Sequence, residues 1–535
     1  MPKSYETNNF GDYFELPNPN LRAYFGNVVK GQPKVYDTPF AVGETMEQLL
    51  NSWSKVLESI RLEWPSLYDF ENDLRSKVGP LSIMKPLSER MDDIDSYYSC
   101  IHSAREPIRS SALAAVAKEW RAPGTVRLRS ERDTIDNMKL STNSGAPYFR
   151  RKNSVVDCTY PVHIYNHDNT IYQVLAGNRD HVWKTCAVLG WRGQEGGPSE
   201  EDTKQRVVWM FPFGVNIREL QVYQPLVLAA QKAKLVPAWV SQDEVDSRVT
   251  ALFDSKGSKD LIICTDFSKF DQHFNPCLQD AARTILASIL TPDRNAATWL
   301  KEVFPVKYNI PLAYNYGMLR YGSHGMASGS GGTNADETLV HRALQYEAAQ
   351  LNGRILNPNS QCHGDDGILT YPGITVEDVV DAYTAHGLEM NQSKQYASTQ
   401  CCIYLKRWYH DRYRLRGICR GVYSTFRALG RLRYLERFMD PEVWDSRMVA
   451  LRQLSILENV KYHPLANDFA EFCMKRDKYR LGIDIPGFLD NIGAIASRAT
   501  DVMPDFLGYT RSLQLGGDFK GLSDWWIVKY LKERA

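Results

Sequence analysis

The chain has 535 residues, of which 43% are apolar and 24% are charged, so it has enough apolar sequence to bury a large core. This composition excludes a disordered, a collagenous and a fibrous protein. Lysine and arginine total 64 against 63 aspartate and glutamate residues, so any sign of a nucleic-acid partner must be local.

The ten cysteines are scattered and form no Cys-x-x-Cys pair, which argues against a zinc ribbon or a thioredoxin-like site. Several stand in apolar runs, as Cys264 does, where a free thiol behaves as a small hydrophobic group. No run approaches the roughly 18 apolar residues of a membrane span, and the first residues lack the pattern of a signal peptide. We therefore expect reduced thiols and a soluble intracellular protein with no membrane partner.

The predicted elements change in kind along the chain. Between about 150 and 215, short β-like runs alternate with loops. Apolar residues at three- and four-residue spacing predict helices over 276–290 and 333–350, with short buried strands between and after them. The C-terminal part is predicted to be mainly helical, for example over 451–460 and 465–475. This mixture indicates an α+β fold with a central region flanked by two different lobes.

Two stretches carry a local excess of positive charge. Residues 121–152 hold eight Lys/Arg and three Asp/Glu, and residues 401–440 hold ten and three. The second stretch is interleaved with aromatic residues, as a polynucleotide channel requires for phosphates and base faces. One such stretch alone is more often a solvated surface, but the two flank the acidic motifs described next. Together they predict a nucleic-acid channel.

The tripeptide Gly-Asp-Asp at 364–366 is followed by the apolar residues Ile368 and Leu369. Adjacent acids at a glycine-bounded turn predict a hairpin with carboxylates at its tip. Two crowded carboxylates repel each other, and a divalent cation relieves that repulsion. Taken alone, the tripeptide is equally compatible with a solvated acidic turn.

A second acidic motif, Asp-Phe-Ser-Lys-Phe-Asp at 266–271, follows the apolar run 261–264. A buried strand that ends at Asp266 would deliver its carboxylate to the edge of a sheet. Magnesium in proteins is held by one or two carboxylates and keeps positions open for phosphate oxygens. Asp266 and Asp365 lie about a hundred residues apart, so only the fold can bring them together.

A glycine-rich stretch, Ser-Gly-Ser-Gly-Gly-Thr at 328–333, leads into a predicted helix. Its glycines would let the backbone approach a ligand closely, and Thr333 could cap the helix. A flexible surface loop is the alternative that this stretch alone leaves open.

The order and separation of these three motifs resemble those of palm motifs A, B and C in viral RNA-dependent RNA polymerases. Four further stretches resemble the motifs G, F, D and E of that family, at 142–148, 204–208, 391–394 and 404–407. The resemblance covers about residues 140–410. The chain length and the string SGSGGTNADE resemble those of polymerases from picobirnaviruses, which are small bisegmented double-stranded RNA viruses.

This resemblance implies a right-hand polymerase, an α+β protein with fingers, a palm of antiparallel sheet with helices, and a mainly helical thumb. Residues 1–255 would form mainly the fingers with an N-terminal extension. Residues 256–410 would form the palm with a fingers insertion, carrying motifs A to E. Residues 411–535 would form the thumb and a C-terminal tail.

The resemblance also implies roles at the reaction centre. Asp266 and Asp365 would bind two Mg²⁺ ions, for which Mn²⁺ could substitute, and Asp366 would assist them. Lys394 would protonate the departing pyrophosphate.

Nucleotide and RNA contacts are implied in the same way. Lys204 and Arg206 would hold the triphosphate, and Asp271 would sense the ribose 2′-OH. The further nucleotide-binding candidates are Ser328, Gly329, Thr333 and Asn334. The candidates for contact with template or product are Ser144, Gly145, Pro147, Lys406 and Arg407.

One position departs from the family pattern. Motif B usually has an Asn four residues after its Thr, where it joins the second Asp of motif A at the 2′-OH, and here that position is Glu337. Asn334 directly follows Thr333. We predict that Asn334 contributes to the ribose contact instead.

The C-terminal tail contains a Gly-Gly pair at 516–517 and the adjacent tryptophans Trp525 and Trp526. Two interpretations are open. The tail is either a terminal helix docked on the thumb, or a mobile aromatic segment that enters the product channel and affects initiation.

The implied activity is template-directed RNA synthesis, with which the enzyme would transcribe and replicate a segmented double-stranded RNA genome inside the particle. The expected partners are RNA template and product, nucleoside triphosphates and the viral capsid protein. We expect a monomer in the host cytoplasm and the virion interior.

Two other classes of function stay open at this point. A reverse transcriptase usually has an aromatic-x-Asp-Asp string where this chain has Gly-Asp-Asp at 364–366. A non-catalytic RNA-binding or packaging protein would use the two basic stretches, but it gives no reason for acidic clusters between them.

Overall fold

The computed structural model describes residues 4–6, 9–102, 105–502 and 521–535. Within these ranges no helix has the length and apolar character needed to cross a membrane. All ten cysteines are free thiols, and most of them are buried.

The described ranges contain nineteen α-helices. In chain order they are α1 (Pro19–Lys30), α2 (Met46–Leu57), α3 (Pro65–Arg75), α4 (Met91–Ser99), α5 (Ser110–Arg121), α6 (Glu131–Asp136), α7 (Val156–Thr159), α8 (Phe213–Lys232), α9 (Gln242–Ser255), α10 (Pro276–Ile289), α11 (Arg294–Glu302), α12 (Val306–Asn309), α13 (Thr333–Leu351), α14 (Val376–Thr384), α15 (Thr425–Arg433), α16 (Ser446–Glu458), α17 (Ala466–Met474), α18 (Ile492–Val502) and α19 (Trp526–Lys532).

The strands of the described ranges are short. In chain order they are β1 (Ser4–Glu6), β2 (His163–His167), β3 (Thr170–Val174), β4 (Val182–Lys184), β5 (Ala187–Gln194), β6 (Lys204–Met210), β7 (Ile262–Thr265), β8 (Leu312–Asn315), β9 (Met318–Arg320), β10 (Gln361–His363), β11 (Asp366–Leu369), β12 (Tyr396–Ser398), β13 (Cys401–Tyr404), β14 (Arg407–His410), β15 (Arg414–Leu415), β16 (Ile418–Cys419) and β17 (Val422–Tyr423).

The central sheet consists of four antiparallel strands in the order β10-β11-β7-β12. One of its two inner strands, β7, is buried along its whole length. The apolar side chains of β7 share one core with α5, α10 and α13, because a strand that is apolar on both faces needs cover on both sides. This core fixes the ends of β7 and β11, where the acidic motifs lie.

A second, five-stranded sheet has the order β1-β9-β8-β5-β6, and only its β5–β8 pair is parallel. The β5–β6 ladder runs from Val188 opposite Met210 to Gln194 opposite Lys204. A small antiparallel sheet, β2-β3-β4, completes this part. The short β-like runs predicted between about 150 and 215 are therefore confirmed as β2 to β6.

The C-terminal helices α15 to α19 form a core of their own, and α2 and α3 from the first part of the chain complete it. Trp53 donates from Nε1 to the Thr425 hydroxyl over 2.7 Å. The buried carboxylate of Glu71 accepts from the Thr425 backbone N–H over 3.1 Å and from the Thr425 hydroxyl. The predicted domain boundaries stay predictions, but α2 and α3 pack as one body with residues of the predicted thumb.

The helices predicted from apolar spacing all occur. Those predicted over 276–290 and 333–350 are α10 and α13, and each ends within a residue of the predicted position. The helix predicted over 451–460 begins earlier, at Ser446, because Asp445 caps it by accepting from the backbone N–H of Met448 over 3.0 Å.

Trp526 is the first residue of the terminal helix α19 and Trp525 directly precedes it, and the helix packs on the C-terminal core. The carboxylate of Glu458 accepts from the backbone N–H groups of Trp526 and Ile527 over 3.2 and 3.0 Å. Of the two interpretations that the sequence leaves open for the tail, this arrangement is the terminal helix docked on the C-terminal helices. The Gly-Gly pair at 516–517 lies outside the described residues.

Candidate active site

The Gly-Asp-Asp tripeptide forms the tip of an antiparallel hairpin between β10 and β11, with His363 opposite Asp366. Gly364 has a φ of +60°, which a two-residue hairpin turn requires at its first position and which glycine adopts without strain. Asp365 is exposed at the tip, and Asp366 begins β11. The predicted hairpin is confirmed.

The second motif reaches the same edge of the central sheet. In the β7–β11 ladder Thr265 lies opposite Gly367, so the next residues along, Asp266 and Asp366, follow at the end of the same ladder. The fold thus brings together the acids that lie about a hundred residues apart in the sequence.

Crowding and burial make this edge unfavourable for negative charge. Burial and then the charge of Asp365 raise the pKa of Asp366 to about 7. Burial and then Asp271 raise the pKa of Asp365, although its side chain reaches solvent. The pKa of Asp266 is raised by burial, against the attraction of Lys394 and Lys77. A cation bound here would relieve all three carboxyl groups.

The side chains at this edge are carboxylates, which are the ligands that a hard divalent cation prefers. In the described part of the chain, no group of three or more Asp, Glu, His or Cys side chains is arranged to hold a metal ion. The residues present still fit such an ion, because carboxylates are its preferred ligands and their pKa values are raised where they meet. An open edge of this kind leaves room for ligands from a substrate.

Two residues of α13, one turn apart, hold the turn of the hairpin. The Thr338 hydroxyl accepts from the backbone N–H of Gly364 over 2.9 Å, and Nδ1 of His341 lies 2.9 Å from the Gly364 carbonyl oxygen. Burial lowers the pKa of His341 to about 4, so the ring is neutral at physiological pH and Nδ1–H donates to that carbonyl. The helix that follows the glycine-rich stretch therefore fixes the position of the acids.

Gln395 holds the backbone of Asp266 from both sides. Its Oε1 accepts from the Asp266 N–H over 2.8 Å, and its Nε2 donates to the Asp266 carbonyl over 2.9 Å. Lys394 directly precedes Gln395 and is exposed. Its positive charge is the strongest of the influences that lower the pKa of Asp266. Sequence reasoning singled out Lys394 and missed Gln395, because no local pattern marks a partner 129 residues away.

The turn between β13 and β14 contacts the other acid. The backbone N–H of Leu405 donates to Oδ2 of Asp366 over 2.8 Å. Leu405 and Lys406 both have positive φ, 51° and 59°, a conformation that costs free energy in residues other than glycine. The two-residue turn therefore helps to fix the orientation of the Asp366 carboxylate.

The predicted nucleotide residues Arg206 and Asp271 form an ion pair, with Nη2 of Arg206 3.3 Å from Oδ2 of Asp271. Glu337, also buried, contacts the same Asp271 carboxylate. Burial and then Asp271 raise the pKa of Glu337 well above its ordinary value. A Glu337 carboxyl that keeps its proton would donate to Asp271.

Asn334 has other partners. Its Oδ1 accepts from Nε1 of Trp239 over 3.1 Å and from the Thr338 hydroxyl over 3.3 Å. The residue that faces Asp271 is thus Glu337, which occupies the position of the family's usual Asn. The predicted ribose contact of Asn334 stays a prediction.

The glycine-rich stretch is packed tightly against β6, so it is not the flexible surface loop that the sequence left open. A Cβ on Gly329 would lie 1.5 Å from the carbonyl oxygen of Trp209, so only glycine fits there. The Ser328 hydroxyl donates to the Val207 carbonyl over 3.2 Å, and the Thr333 hydroxyl donates to that of Ala327 over 3.2 Å. Both hydroxyls hold the backbone of the stretch in place.

The other candidates differ in their exposure. Lys204 is exposed at the first position of β6. Ser144, Gly145 and Pro147 are buried, and a Cβ on Gly145 would meet the Phe211 carbonyl oxygen at 2.7 Å. These three residues shape a loop rather than present side chains to solvent.

Lys406 and Arg407 are placed differently from each other. The Lys406 side chain is 59% exposed, with Nζ 3.9 Å from a Glu195 carboxylate oxygen. The Arg407 guanidinium donates to the carbonyl oxygens of Gly421 and Asn459 over 3.1 and 3.2 Å. Arg407 therefore links the turn of β13–β14 to the C-terminal part.

Comparison with known proteins identifies the class to which this arrangement belongs. The family model of viral RNA-dependent RNA polymerases matches residues 126–458, and the chain belongs to that family. A potential RNA-dependent RNA polymerase of human picobirnavirus is 58% identical over 532 residues, which cover 98% of this chain and 99% of that protein.

Two solved structures are similar over the full length. The crystal structure of the RNA-dependent RNA polymerase of a human picobirnavirus matches with a TM-score of 0.95 at 57% identity, and an insertion loop deletion mutant of such an enzyme matches with 0.93 at 55%. Each match covers 100% of both chains. The right-hand α+β fold and the RNA-directed RNA polymerase activity are thereby confirmed, and neither a reverse transcriptase nor a packaging protein is supported.

Proposed function

We propose that this polymerase extends the 3′ end of an RNA strand on an RNA template with the help of two divalent cations, and that it transcribes and replicates a double-stranded RNA genome. The observation that carries the two-metal part is the meeting of Asp266 with Asp365 and Asp366 at one edge of the central sheet. Asp266 and Asp365 would hold the two ions, with Asp366 in support. Mg²⁺ suits this all-carboxylate set, and Mn²⁺ would substitute for it.

When bound, such cations supply an activated 3′-hydroxyl and stabilise the leaving oxygen. Side chains of this protein would donate the proton and neutralise the phosphate charge. Lys394 is exposed beside Gln395, close enough for its charge to lower the pKa of Asp266. An ammonium group there would donate a proton to the departing pyrophosphate. Arg206, with Lys204 at the start of the same strand, would neutralise the triphosphate.

The ribose would be read by Asp271 and Glu337. Glu337 is only 5% exposed, and within the described residues its Oε1 has no hydrogen-bond partner. A 2′-hydroxyl can donate to that oxygen, whereas a deoxyribose would leave it buried and unpaired, which costs about 1–3 kcal/mol. Asn334 would support the same end of α13, beside Ser328, Gly329 and Thr333.

Template and product would follow the positively charged surfaces. The buried turn of Ser144, Gly145 and Pro147 would position its exposed neighbours Thr142 and Arg150 along the template. Lys406 would approach the product strand at the turn beside Asp366.

The wider setting is proposed from the likeness to the human picobirnavirus polymerase. The enzyme would act as a monomer in the host cytoplasm and inside the virion, next to the capsid protein.

Incorporation of labelled ribonucleotides on a single-stranded RNA template tests the proposal, with Mg²⁺, with Mn²⁺ and with EDTA. Asp365→Ala should abolish incorporation, and EDTA should do the same to the unchanged protein. Asp280→Ala, which removes an exposed acid on α10, is the matched control and should retain activity. Activity in a folded Asp365→Ala protein, or in EDTA, would refute the metal site.

A further inference from the structure

One face of α8 packs against the glycine-rich stretch 328–333. Asn216, Glu219, Leu220 and Tyr223 have the spacing of a single helix face, and each of them contacts this stretch. Nδ2 of Asn216 donates to the Gly329 carbonyl over 3.4 Å. A Cβ on Gly331 would lie 2.9 Å from the Leu220 side chain, and one on Gly332 would lie 2.3 Å from the Tyr223 ring.

Glu219 is the only acid on this face. It is fully buried, and its carboxylate accepts from the Ser330 hydroxyl, from the Gly331 N–H over 3.1 Å and from Nδ2 of Asn216 over 3.0 Å. The Ser330 hydroxyl in turn accepts from the Gly332 N–H over 3.0 Å. Two consecutive backbone N–H groups are thus tied, directly or through one hydroxyl, to a single carboxylate on a rigid helix.

The start of α13 is tied to the same helix. The Asp336 carboxylate accepts from the hydroxyls of Tyr223 and Tyr308 over 2.8 and 2.7 Å, and it lies 3.0 Å from Nζ of Lys307. All four side chains are buried. Because α13 also carries Glu337, Thr338 and His341, the position of α8 is transmitted to the ribose pocket and to the turn of the acidic hairpin.

We infer that Glu219 is a positioning residue that keeps the glycine-rich stretch in its nucleotide-binding shape before a nucleotide arrives. The inference rests on the proposed nucleotide-binding role of that stretch. Buried hydrogen bonds to a carboxylate are costly to leave unmade, so the stretch stays in one conformation. A protein without this carboxylate must order the stretch when the nucleotide binds. Its apparent affinity for the nucleotide is then the intrinsic affinity multiplied by the fraction of molecules in which the stretch is already ordered.

Glu219→Ala is the direct test, with hydrogen exchange of the amides of 328–334 as a readout that needs no activity. We expect faster exchange there and a KM for the incoming nucleotide raised about 10-fold with kcat changed less than about 2-fold. Glu219→Gln keeps an acceptor for Gly331 and should restore KM to within about 2-fold. Glu347→Gln, which changes another buried glutamate of the same core that contacts Arg109 and His386, should leave exchange of 328–334 unchanged.

If Glu219→Ala does not fold, Ser330→Ala removes the same contact at its other end and should change exchange and KM in the same direction. Ser328→Ala tests the stretch itself. An unchanged KM in Ser328→Ala and in Ser330→Ala would overturn the nucleotide-binding role of the stretch, and the inference with it. A raised KM in Ser328→Ala beside unchanged exchange and KM in a folded Glu219→Ala would overturn the role of Glu219 alone.

Discussion

The guanidinium group of Arg206 lies 3.3 Å from the carboxylate of Asp271, so the strand that would hold the triphosphate and the motif that would hold the sugar are joined before any nucleotide is bound. Glu337 contacts the same carboxylate, and burial and then Asp271 raise the pKa of Glu337. An arginine, an aspartate and a buried glutamate therefore share the pocket.

The contact between Glu337 and Asp271 predicts how sugar selection responds to substitution. Glu337→Gln preserves a neutral group that donates and accepts, so its preference for ribonucleotides over deoxyribonucleotides should stay within about 3-fold of the original. Glu337→Ala removes the buried acceptor and should reduce the preference about 10-fold. The ratio of kcat/KM for matched ribo- and deoxyribonucleotides measures both.

The ribonucleotide preference of Asn334→Ala is compared with that of Glu337→Ala. A loss of preference in Asn334→Ala that equals the loss in Glu337→Ala would show that both residues read the sugar. An unchanged preference in Glu337→Ala would rule out the assignment of the ribose to Glu337.

The raised pKa of Asp366 predicts a pH-dependent stability in the absence of cations. The folded protein keeps this proton up to a pH of about 7, whereas the unfolded carboxyl loses it near 3.8. The folded state therefore binds more protons between these values, and its stability falls as the pH rises through that window. In EDTA at pH 8, Asp366→Asn should be more stable than the unchanged protein by on the order of 2 kcal/mol.

Thermal unfolding in EDTA at pH 5 and pH 8 measures this effect. The advantage of Asp366→Asn should be small at pH 5 and larger at pH 8, and added Mg²⁺ should reduce it at pH 8 by stabilising the unchanged protein. An equal difference at both pH values would show that the carboxyl is not the cause.

The two hydrogen bonds from Gln395 to the backbone of Asp266 predict a defect in the chemical step. Gln395→Ala leaves Asp266 present but free to shift, and a small misplacement of a reacting group is costly. We expect kcat to fall about 10-fold with little change in KM. Single-nucleotide incorporation kinetics test this, and Gln392→Ala, an exposed residue in the same turn, should behave like the unchanged protein.

Glu195 joins two parts of the chain. Its carboxylate pairs with Arg427 over 3.0 Å and with Arg431 over 2.8 Å. Burial raises its pKa, but Arg431, Arg427 and Lys406 outweigh that effect and lower it to about 2. Glu195→Ala leaves Arg427 without its carboxylate partner and Arg431 with Glu436 alone, and it should destabilise the protein by about 3 kcal/mol at pH 7.

The sign of that shift gives a second readout. A depressed pKa means that the stabilisation is present above pH 4.5 and is lost as the pH falls toward 2. The difference in unfolding midpoint between Glu195→Gln and the unchanged protein should therefore shrink as the pH falls from 7 to 3. Glu200→Ala, an exposed acid in the same loop, should show no difference at either pH.

The sequence alone predicts the acidic hairpin and the strand that leads to Asp266, because a glycine-bounded turn and a continuous apolar run are local signals. It does not predict Gln395 or Glu219, whose partners lie 129 and 111 residues away. Sequence patterns also do not single out Glu219. Because α8 is buried on most of its faces, no amphipathic pattern marks the face that carries this residue. The sequence also does not predict that Glu337 faces Asp271, since a contact between two acids depends on burial that only the fold supplies.

The joint core of α2, α3 and the C-terminal helices has a consequence for biosynthesis. Trp53 and its hydrogen-bond partner Thr425 are 372 residues apart, so at a translation rate of about 5–20 residues per second the ribosome needs roughly 20–75 s to supply the partner. During that time the apolar faces of α2 and α3 lack their C-terminal partners, and such exposed apolar surface is bound by chaperones. A C-terminal fragment that starts at residue 411 would lack the same two helices, so the predicted thumb should not fold when it is expressed by itself.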